Sequence, residues 1–343
     1  MPSVKAPKVL AEQLIKELEK SGILDRGRVI RREGEHVFIP VVSTAGLKLP
    51  EECHVVHVEN PPAERRSRSV VDALRDKVDA ELLKRIPRSF DIIGDVAVIN
   101  ELDAEQRVLE AIGQAIMEVH KNVRLVLAKS SPLAGEERVG GYRVVAGVGG
   151  AETTHRESGC VYKLDITRVF FSPRLSGERL RVATQVRSDE QVVDMFAGVG
   201  PFSILIAKKT PSCRVVAVEK NESAYRYLCE NIRLNKVGDR VTPLLGDVRN
   251  HVSALRGLAD RVIMNLPHQS QDFLGDALQI LKKEGLIHFY TIAQRDDQSD
   301  AERRVSSVLS ALDVDYGFLF SRAVKEVSPS KVMMVFDIRV VKG

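Results

Sequence analysis

Apolar positions recur three and four residues apart along residues 7–20, PKVLAEQLIKELEK. That period predicts a helix with one buried face. The run HVFIPVV at 36–42 is rich in β-branched residues and predicts a strand. Asn60-Pro61-Pro62 and the charged stretch AERRSRS then break the pattern, so a small N-terminal module over 1–62 is expected, followed by a linker. A second region, 68–182, mixes periods. VVDALRDKVDAELLKRI at 70–86 reads as a helix and 95–99 as a strand. A further helix is expected to start near Asp103, with Gln106 three residues on in a capping-box arrangement. Strands are expected at 124–129, 142–148 and 160–170. Glycines at 135, 140, 141, 147, 149 and 150 mark turns between them.

From about residue 190 the pattern alternates strictly. Strand-like runs at 191–196, 214–219, 240–246, 261–267 and 285–292 are each followed by a helical segment. Such alternation predicts a parallel sheet covered on both faces. The last two strands, near 315–321 and 332–340, are joined by too few residues for a parallel crossover and must pair antiparallel. The expected fold is therefore α/β: a doubly wound sheet with an antiparallel last strand over 183–343, preceded by a mixed α/β middle domain and the small module.

Composition narrows the chemistry. A chain of 343 residues suits two or three domains. No apolar run approaches the roughly 20 residues that span a bilayer, and the first eight residues do not read as a signal peptide. Cys53, Cys160, Cys213 and Cys229 form no C-x-x-C pair, and the histidines show no H-E-x-x-H spacing. A zinc ribbon, a disulfide framework and a resident catalytic metal are thus not expected. The net charge of +4 says little by itself. Its distribution says more: Arg168, Arg174, Arg179, Arg181 and Arg187 stand against one acid, Glu178, and smaller clusters occur at Arg65, Arg66, Arg68 and at Lys84, Arg85, Arg88. Such clusters suit a localised phosphate-binding face, although any one alone reads as solvated surface.

The strongest local signal is Val192-Val193-Asp194-Met195-Phe196-Ala197-Gly198-Val199-Gly200-Pro201-Phe202-Ser203. A strand ends in an acid, a glycine-rich turn comes next, and a helix begins. Gly198 and Gly200 let backbone approach a ligand without a Cβ in the way. Glu219 ends the next strand and can accept from ribose hydroxyls. Asp247 lies just past the third strand and suits an adenine amino group. Asp194 could hold the ammonium of a methionine moiety. A nicotinamide site shares part of this pattern, but Ser203 occupies its third glycine position. The plain alternative is that Asp194 and Asp247 merely cap helices. The D-x-F-A-G-x-G pattern over about 183–343 resembles the class I S-adenosylmethionine-dependent methyltransferases. That resemblance adds Phe196, Ala197, Lys220, Val248, Asn265 and Pro267 to the expected cofactor-binding residues.

Asn265-Leu266-Pro267-His268 ends the fourth strand of this series, where an amide can read a purine edge. Together with SFDIIGDVAVI (89–99), GYR (141–143), HRESG (155–159), VFFSPRLSGER (169–179), ENIRLN (230–235) and REGEHVFIPV (32–41), the whole chain resembles the archaeal and eukaryotic tRNA (guanine(37)-N(1))-methyltransferases. That resemblance implies Glu178 as the base for the guanine N1 proton, Arg143 as the cation beside O6, Asn265 fixing the base edge and Pro267 shaping the pocket. It implies Arg174, Arg179, Arg181 and Phe170 as tRNA contacts, Phe170 standing where the family often has Tyr. It also implies a monomer in the cytoplasm that holds the tRNA anticodon loop and elbow, with no membrane partner; a Mg2+ requirement is compatible, though no ligand cluster in the sequence indicates one. Competing readings are aminocarboxypropyl transfer or methylation of a tricyclic guanine in wybutosine synthesis, a nicotinamide-dependent oxidoreductase, and a non-catalytic RNA-binding protein.

Overall fold

The computed structural model describes residues 1–62, 69–75, 77–79, 83, 89–100, 105–130 and 141–343. The arginine cluster at 65–68, the Lys84, Arg85, Arg88 cluster, most of the second half of the expected 70–86 helix, Gly135, Gly140 and the helix start at Asp103 lie outside the described residues. Two compact units are present, one within 1–68 and one within 69–343.

In the first unit, β1 (Pro2–Pro7) lies between β3 (His36–Pro40) and β4 (His54–His57), with β2 (Arg31–Glu33) beyond β3. All pairs are antiparallel. Helix α1 (Lys8–Lys20) buries Ala11, Leu14 and Leu18 against Val4, Val37 and Ile39. Strand β1 was not expected, because PSVKAP carries two prolines. Both prolines sit at its ends, and Val4 and Ala6 alternate inward between them.

The second unit begins with α2 (Val70–Leu74) and a four-stranded sheet of order β5 (Phe90–Ile93), β6 (Val96–Ile99), β7 (Leu125–Lys129), β8 (Tyr142–Gly147). Helix α3 (Gln106–Val119) makes the parallel crossover from β6 to β7. Among the described residues it starts at Gln106, and Glu105 at its N-cap makes no side-chain cap hydrogen bond. Next, β9 (Glu152–Glu157) and β10 (Cys160–Asp165) form a hairpin. Its turn residues Ser158 and Gly159 both have positive φ, matching the twist of the strands. Residues 166–170, expected to extend the strand at β10, turn instead. They lead into α4 (Ser176–Gln185), a helix not read from the sequence.

The main sheet has seven strands in the order β13 (Val241–Leu245), β12 (Arg214–Glu219), β11 (Gln191–Asp194), β14 (Ala259–Met264), β15 (Leu281–Gln294), β17 (Lys331–Val341), β16 (Asp315–Ser328). The first five are parallel, and β17 runs antiparallel between β15 and β16, as expected. Helices α5 (Pro201–Lys209), α6 (Glu222–Leu234), α7 (Val252–Leu255), α8 (Leu274–Ile280) and α9 (Gln298–Ala311) connect its strands. One buried cluster joins Ile93, Val96 and Leu125 to Tyr162, Val182, Phe202 and Ile204. No helix among the described residues is long and apolar enough to cross a membrane.

One edge of β10 pairs with β9. The other edge meets two amide side chains of α6. Asn231 accepts from the Lys163 N–H at 2.7 Å and donates to the Lys163 carbonyl at 3.1 Å. One helical turn on, Asn235 does the same with Val161, at 2.9 and 2.6 Å. The spacing of four residues on the helix matches two residues on the strand, so the ENIRLN segment supplies a substitute strand. Asn231 also donates to the Val199 carbonyl, tying this edge to the glycine turn. Replacing Asn231 with Ala strands these buried backbone groups. Urea unfolding of Asn231→Ala is expected to show a loss of about 2–4 kcal/mol, whereas a loss within about 0.5 kcal/mol, the usual range for neutral surface changes, would refute this role.

Candidate active site

The carboxyl ends of β11, β12, β13 and β14 open onto one cleft. After Asp194 the chain turns through Phe196, Ala197 and Gly198, with the Ala197 N–H bonded to the Val218 carbonyl. Gly198 has φ +57, and a Cβ there would stand in open space. Glu219 is fixed by backbone: Oε2 accepts from the Gly198 N–H at 2.6 Å and Oε1 from the Asn221 N–H at 2.8 Å. Asp247 accepts from the Arg249 N–H, so it caps the short 3-10 turn after β13 and still lines the cleft. Lys220 stands 3.5 Å from its carboxylate. Gly246 and Val248 complete this side.

The opposite wall is apolar and aromatic. Phe196 and Phe273 meet edge to face at 5.0 Å, and the Arg249 guanidinium covers Phe273 at 4.0 Å. Phe170, Phe171, Ser172 and Leu175 come from the segment before α4. Asn265 lines the cleft, and its Oδ1 is buried with no partner among the described residues. Such an orphaned acceptor costs stability unless a ligand donor meets it. The set suits a nucleoside with vicinal hydroxyls and an exocyclic amine. Among the described residues no cluster of acids, histidines or cysteines could hold a metal ion.

Three residues expected at the cofactor lie behind the wall. Asp194 is 1% exposed; its Oδ2 accepts from Ser203 Oγ at 2.7 Å, and Oδ1 has no partner among the described residues. Burial pushes its carboxyl up to about 7, only partly offset by Ser203 and the nearby Phe196 N–H. Gly200 is needed for packing, since a Cβ there would come within 2.6 Å of Leu228 Cδ1 at φ +90. Pro267 is buried.

The arginine-rich segment differs most from expectation. Arg179 is 1% exposed and forms a bidentate pair with Glu157, both bonds 2.6 Å, while donating to the Ser172 carbonyl. It braces the cleft wall, which it helps to line. Arg181 is held between Glu178 and Asp337. Arg174 pairs with Asp91 at 2.6 Å and keeps part of its side chain in solvent. Arg143 is exposed on β8 and does not line the cleft.

Glu178, in the first turn of α4, is 3% exposed. It too lies outside the cleft lining and is fully occupied. Arg181 donates to both its oxygens at 3.0 and 2.7 Å, the Tyr290 hydroxyl to Oε1 at 2.8 Å and Arg322 to Oε2 at 2.9 Å. Burial pushes its carboxyl up, but Arg181, Tyr290 and Arg322 outweigh that and hold it below the usual glutamate value. Sequence reading missed Tyr290, Arg322 and Asp337 here, and Phe273, Gln269 and Asn221 in the cleft. An acid inside the apolar strand MMVFDIRVV was the one available signal for Asp337.

Counted from β11, the sheet order is 3-2-1-4-5-7-6, with an acid-bearing crevice at the carboxyl ends of its first strands. This is the architecture of the class I S-adenosylmethionine-dependent methyltransferases. Residues 153–315 match the TRM5/TYW2 methyltransferase domain, 70–150 the TYW2 N-terminal domain and 3–46 the tRNA methyltransferase 5 N-terminal domain. The chain is similar to the tRNA (guanine(37)-N(1))-methyltransferase Trm5b of Pyrococcus abyssi, 39% identical over 340 residues and 98% of each chain. It is also similar to the tRNA 4-demethylwyosine(37)-methyltransferase Taw21 of Saccharolobus solfataricus, 36% identical over 79% of this chain and 99% of that one. Among solved structures, the complex of aTrm5 and tRNALeu matches with a TM-score of 0.85 and 30% identity over 99% of both chains. The chain belongs to the TRM5/TYW2 methyltransferase family.

The Asp194 carboxyl titrates higher in the native protein than in an unfolded chain, where Asp lies at about 3.9. The native state thus binds the extra proton between about pH 4 and pH 7. This group therefore lowers stability as pH rises through that window. Asp194→Asn is neutral throughout, so the fall in melting temperature from pH 4 to pH 7 should be shallower than in wild type. An unchanged slope would contradict the assignment.

Proposed function

We propose that this protein transfers the methyl group of S-adenosylmethionine to N1 of guanosine 37 in tRNA. The observation that carries the reading is the extent of the likeness. The guanine-N1 methyltransferase relative aligns over 98% of the chain, including the small N-terminal unit, whereas the 4-demethylwyosine methyltransferase aligns over 79%. The N-terminal match at 3–46 agrees. In this reading the chain acts as a monomer in the cytoplasm, and its small unit contacts the tRNA elbow.

S-adenosylmethionine, when bound, supplies a methyl group on a sulfonium centre. Glu219 would take the ribose hydroxyls, Asp247 the adenine amine, and Phe196 with Phe273 the apolar faces of the nucleoside. Lys220, Ala197, Gly198 and Val248 would complete the cleft. Asn265 would meet the guanine edge with its Oδ1, which has no partner among the described residues. Guanine must be unstacked to enter. Its N1–H proton must leave for the nitrogen lone pair to take the methyl group, and Glu178 is the acceptor in this reading. Arg143 would offset charge on O6 by family resemblance alone. Arg174 and Phe170 would meet the RNA.

Methylation of a tricyclic guanine is the second reading, favoured by the 36% identity to its relative. One experiment separates them. Labelled S-adenosylmethionine is incubated with unmodified tRNA carrying guanosine 37, or with tRNA carrying 4-demethylwyosine there, and the product nucleoside is mapped. Label on N1 of guanosine is expected; label on the tricycle only, or on neither RNA, overturns the proposal. Glu178→Gln should lower the single-turnover rate by about 10²–10⁴ while cofactor affinity stays near wild type. A large loss of cofactor affinity instead would make Glu178 structural.

A further inference from the structure

Glu178 faces a base's task with no free oxygen. Four donor contacts fill both oxygens, from Arg181 on α4, Tyr290 on β15 and Arg322 on β16. Arg181 and Arg322 can only donate, and the Tyr290 hydroxyl could accept from a protonated Glu178 only by turning its own proton elsewhere. One donor must leave before it can act.

The surrounding charges indicate which. The other edge of Arg181 is bidentate on Asp337 of β17, at 2.5 and 2.9 Å. Asp337 also meets His288 Nδ1 at 2.6 Å, and His288 Nε2 lies 2.7 Å from Arg261 Nη1. A guanidinium only donates, so Nε2 accepts, Nδ1 carries the proton and the imidazole is neutral. Arg261 in turn pairs with Glu190. Three carboxylates thus balance three guanidiniums. Arg261 and Arg181 are sealed in, with side chains 6% and 16% exposed, whereas the Arg322 side chain is 47% exposed. Among the described residues Arg322 makes one hydrogen bond, to Glu178, and flanks Phe320 at 5.7 Å. Its strand borders the cleft: Lys325 donates to Ser172 Oγ and stands over Phe170, both on the cleft wall.

We propose that Arg322 is a removable counterion for Glu178, withdrawn by a phosphate of the bound RNA so that one carboxylate oxygen becomes free to take the guanine N1 proton. The proposal rests on the reading of Glu178 as the base. Its charge balance closes. With Arg322 in place the cluster is neutral; with Arg322 on a phosphate it carries one net negative charge. The proton released as the N1–H bond breaks restores neutrality on Glu178. Deprotonation is thereby confined to the RNA-bound state. Arg181 keeps its hold because Asp337 and Glu178 share it.

The full-length protein tests this with Arg322→Ala, Arg322→Lys and Glu178→Gln. RNA affinity is measured against salt, and methyl transfer against pH. Arg322→Ala should reduce the slope of log affinity against log salt by about 0.7–0.9, the loss of one phosphate contact, and Arg322→Lys should restore it. The acid limb of kcat/KM reports the free enzyme and that of kcat the complex. In Arg322→Ala the first should move to higher pH, since a cation that lowers the Glu178 carboxyl is gone, and the second should stay. An unchanged salt slope, or both limbs moving together, overturns the proposal. Glu178→Gln separates the two claims. If it keeps the wild-type single-turnover rate, the base reading itself has failed; if it loses that rate while the Arg322→Ala slope is unchanged, only the counterion proposal has failed.

Discussion

One guanidinium, that of Arg181, lies between two buried carboxylates and ties helix α4 to the main sheet. Without it Glu178 would keep only the half-exposed Arg322 as counterion, and the buried Asp337 charge would be uncompensated, at a cost of several kcal/mol. Shared, the cation fixes three elements at once: α4 through its own backbone, β17 through Asp337, and β15 through the Tyr290 and His288 contacts of the two acids. The segment 170–175, which forms one wall of the cleft, runs directly into α4 and is positioned by that helix. The neighbouring Arg179 and Glu157 pair braces that wall from the β9 side. The geometry of the wall that carries Phe170 and Phe171 thus depends on ion pairs rather than on apolar packing alone.

The cofactor side is built on a different principle. There backbone dominates: two N–H groups hold the Glu219 carboxylate, a left-handed Gly198 clears its path, and the ends of parallel strands bring Asp247 and Asn265 to the same opening. Such a site is rigid because the sheet is rigid. The buried ionic cluster, by contrast, has one solvent-exposed member. If Glu178 is the base, as proposed, a preformed crevice beside a carboxylate that RNA uncovers would keep that carboxylate quiet until the guanine is seated.

This difference explains which features were legible in the sequence. The parallel sheet, its antiparallel end and the cleft residues Gly198, Glu219 and Asp247 arise from local rules, namely strand and helix periods and the placement of acids and glycines at strand ends. Asp194 shared that pattern yet turned inward to Ser203, because spacing fixes the backbone position of an acid and not the side of the wall its carboxylate chooses. Helix α4 escaped notice because SGERLRVATQ has few apolar positions and its charged residues are themselves buried. The partners that bury them, Glu157, Tyr290, Arg322 and Asp337, are far away in sequence. Strand β1 was masked by its terminal prolines. The Asn231 and Asn235 amides stood in a recognisable motif, but their pairing with the edge of β10 needed the hairpin to be located first.

A Glu178 that is ionised and fully partnered in the free protein is the condition on which the ionic cluster and its release both stand. Carboxyl 13C NMR of glutamate-labelled protein, titrated without RNA and assigned with Glu178→Gln, measures this directly. The Glu178 resonance should hold its ionised shift down through the ordinary glutamate range and titrate only below it. A resonance that titrates at or above that range would mean a carboxylate already free of its cations, and the arrangement described here would not be the one the protein adopts in solution.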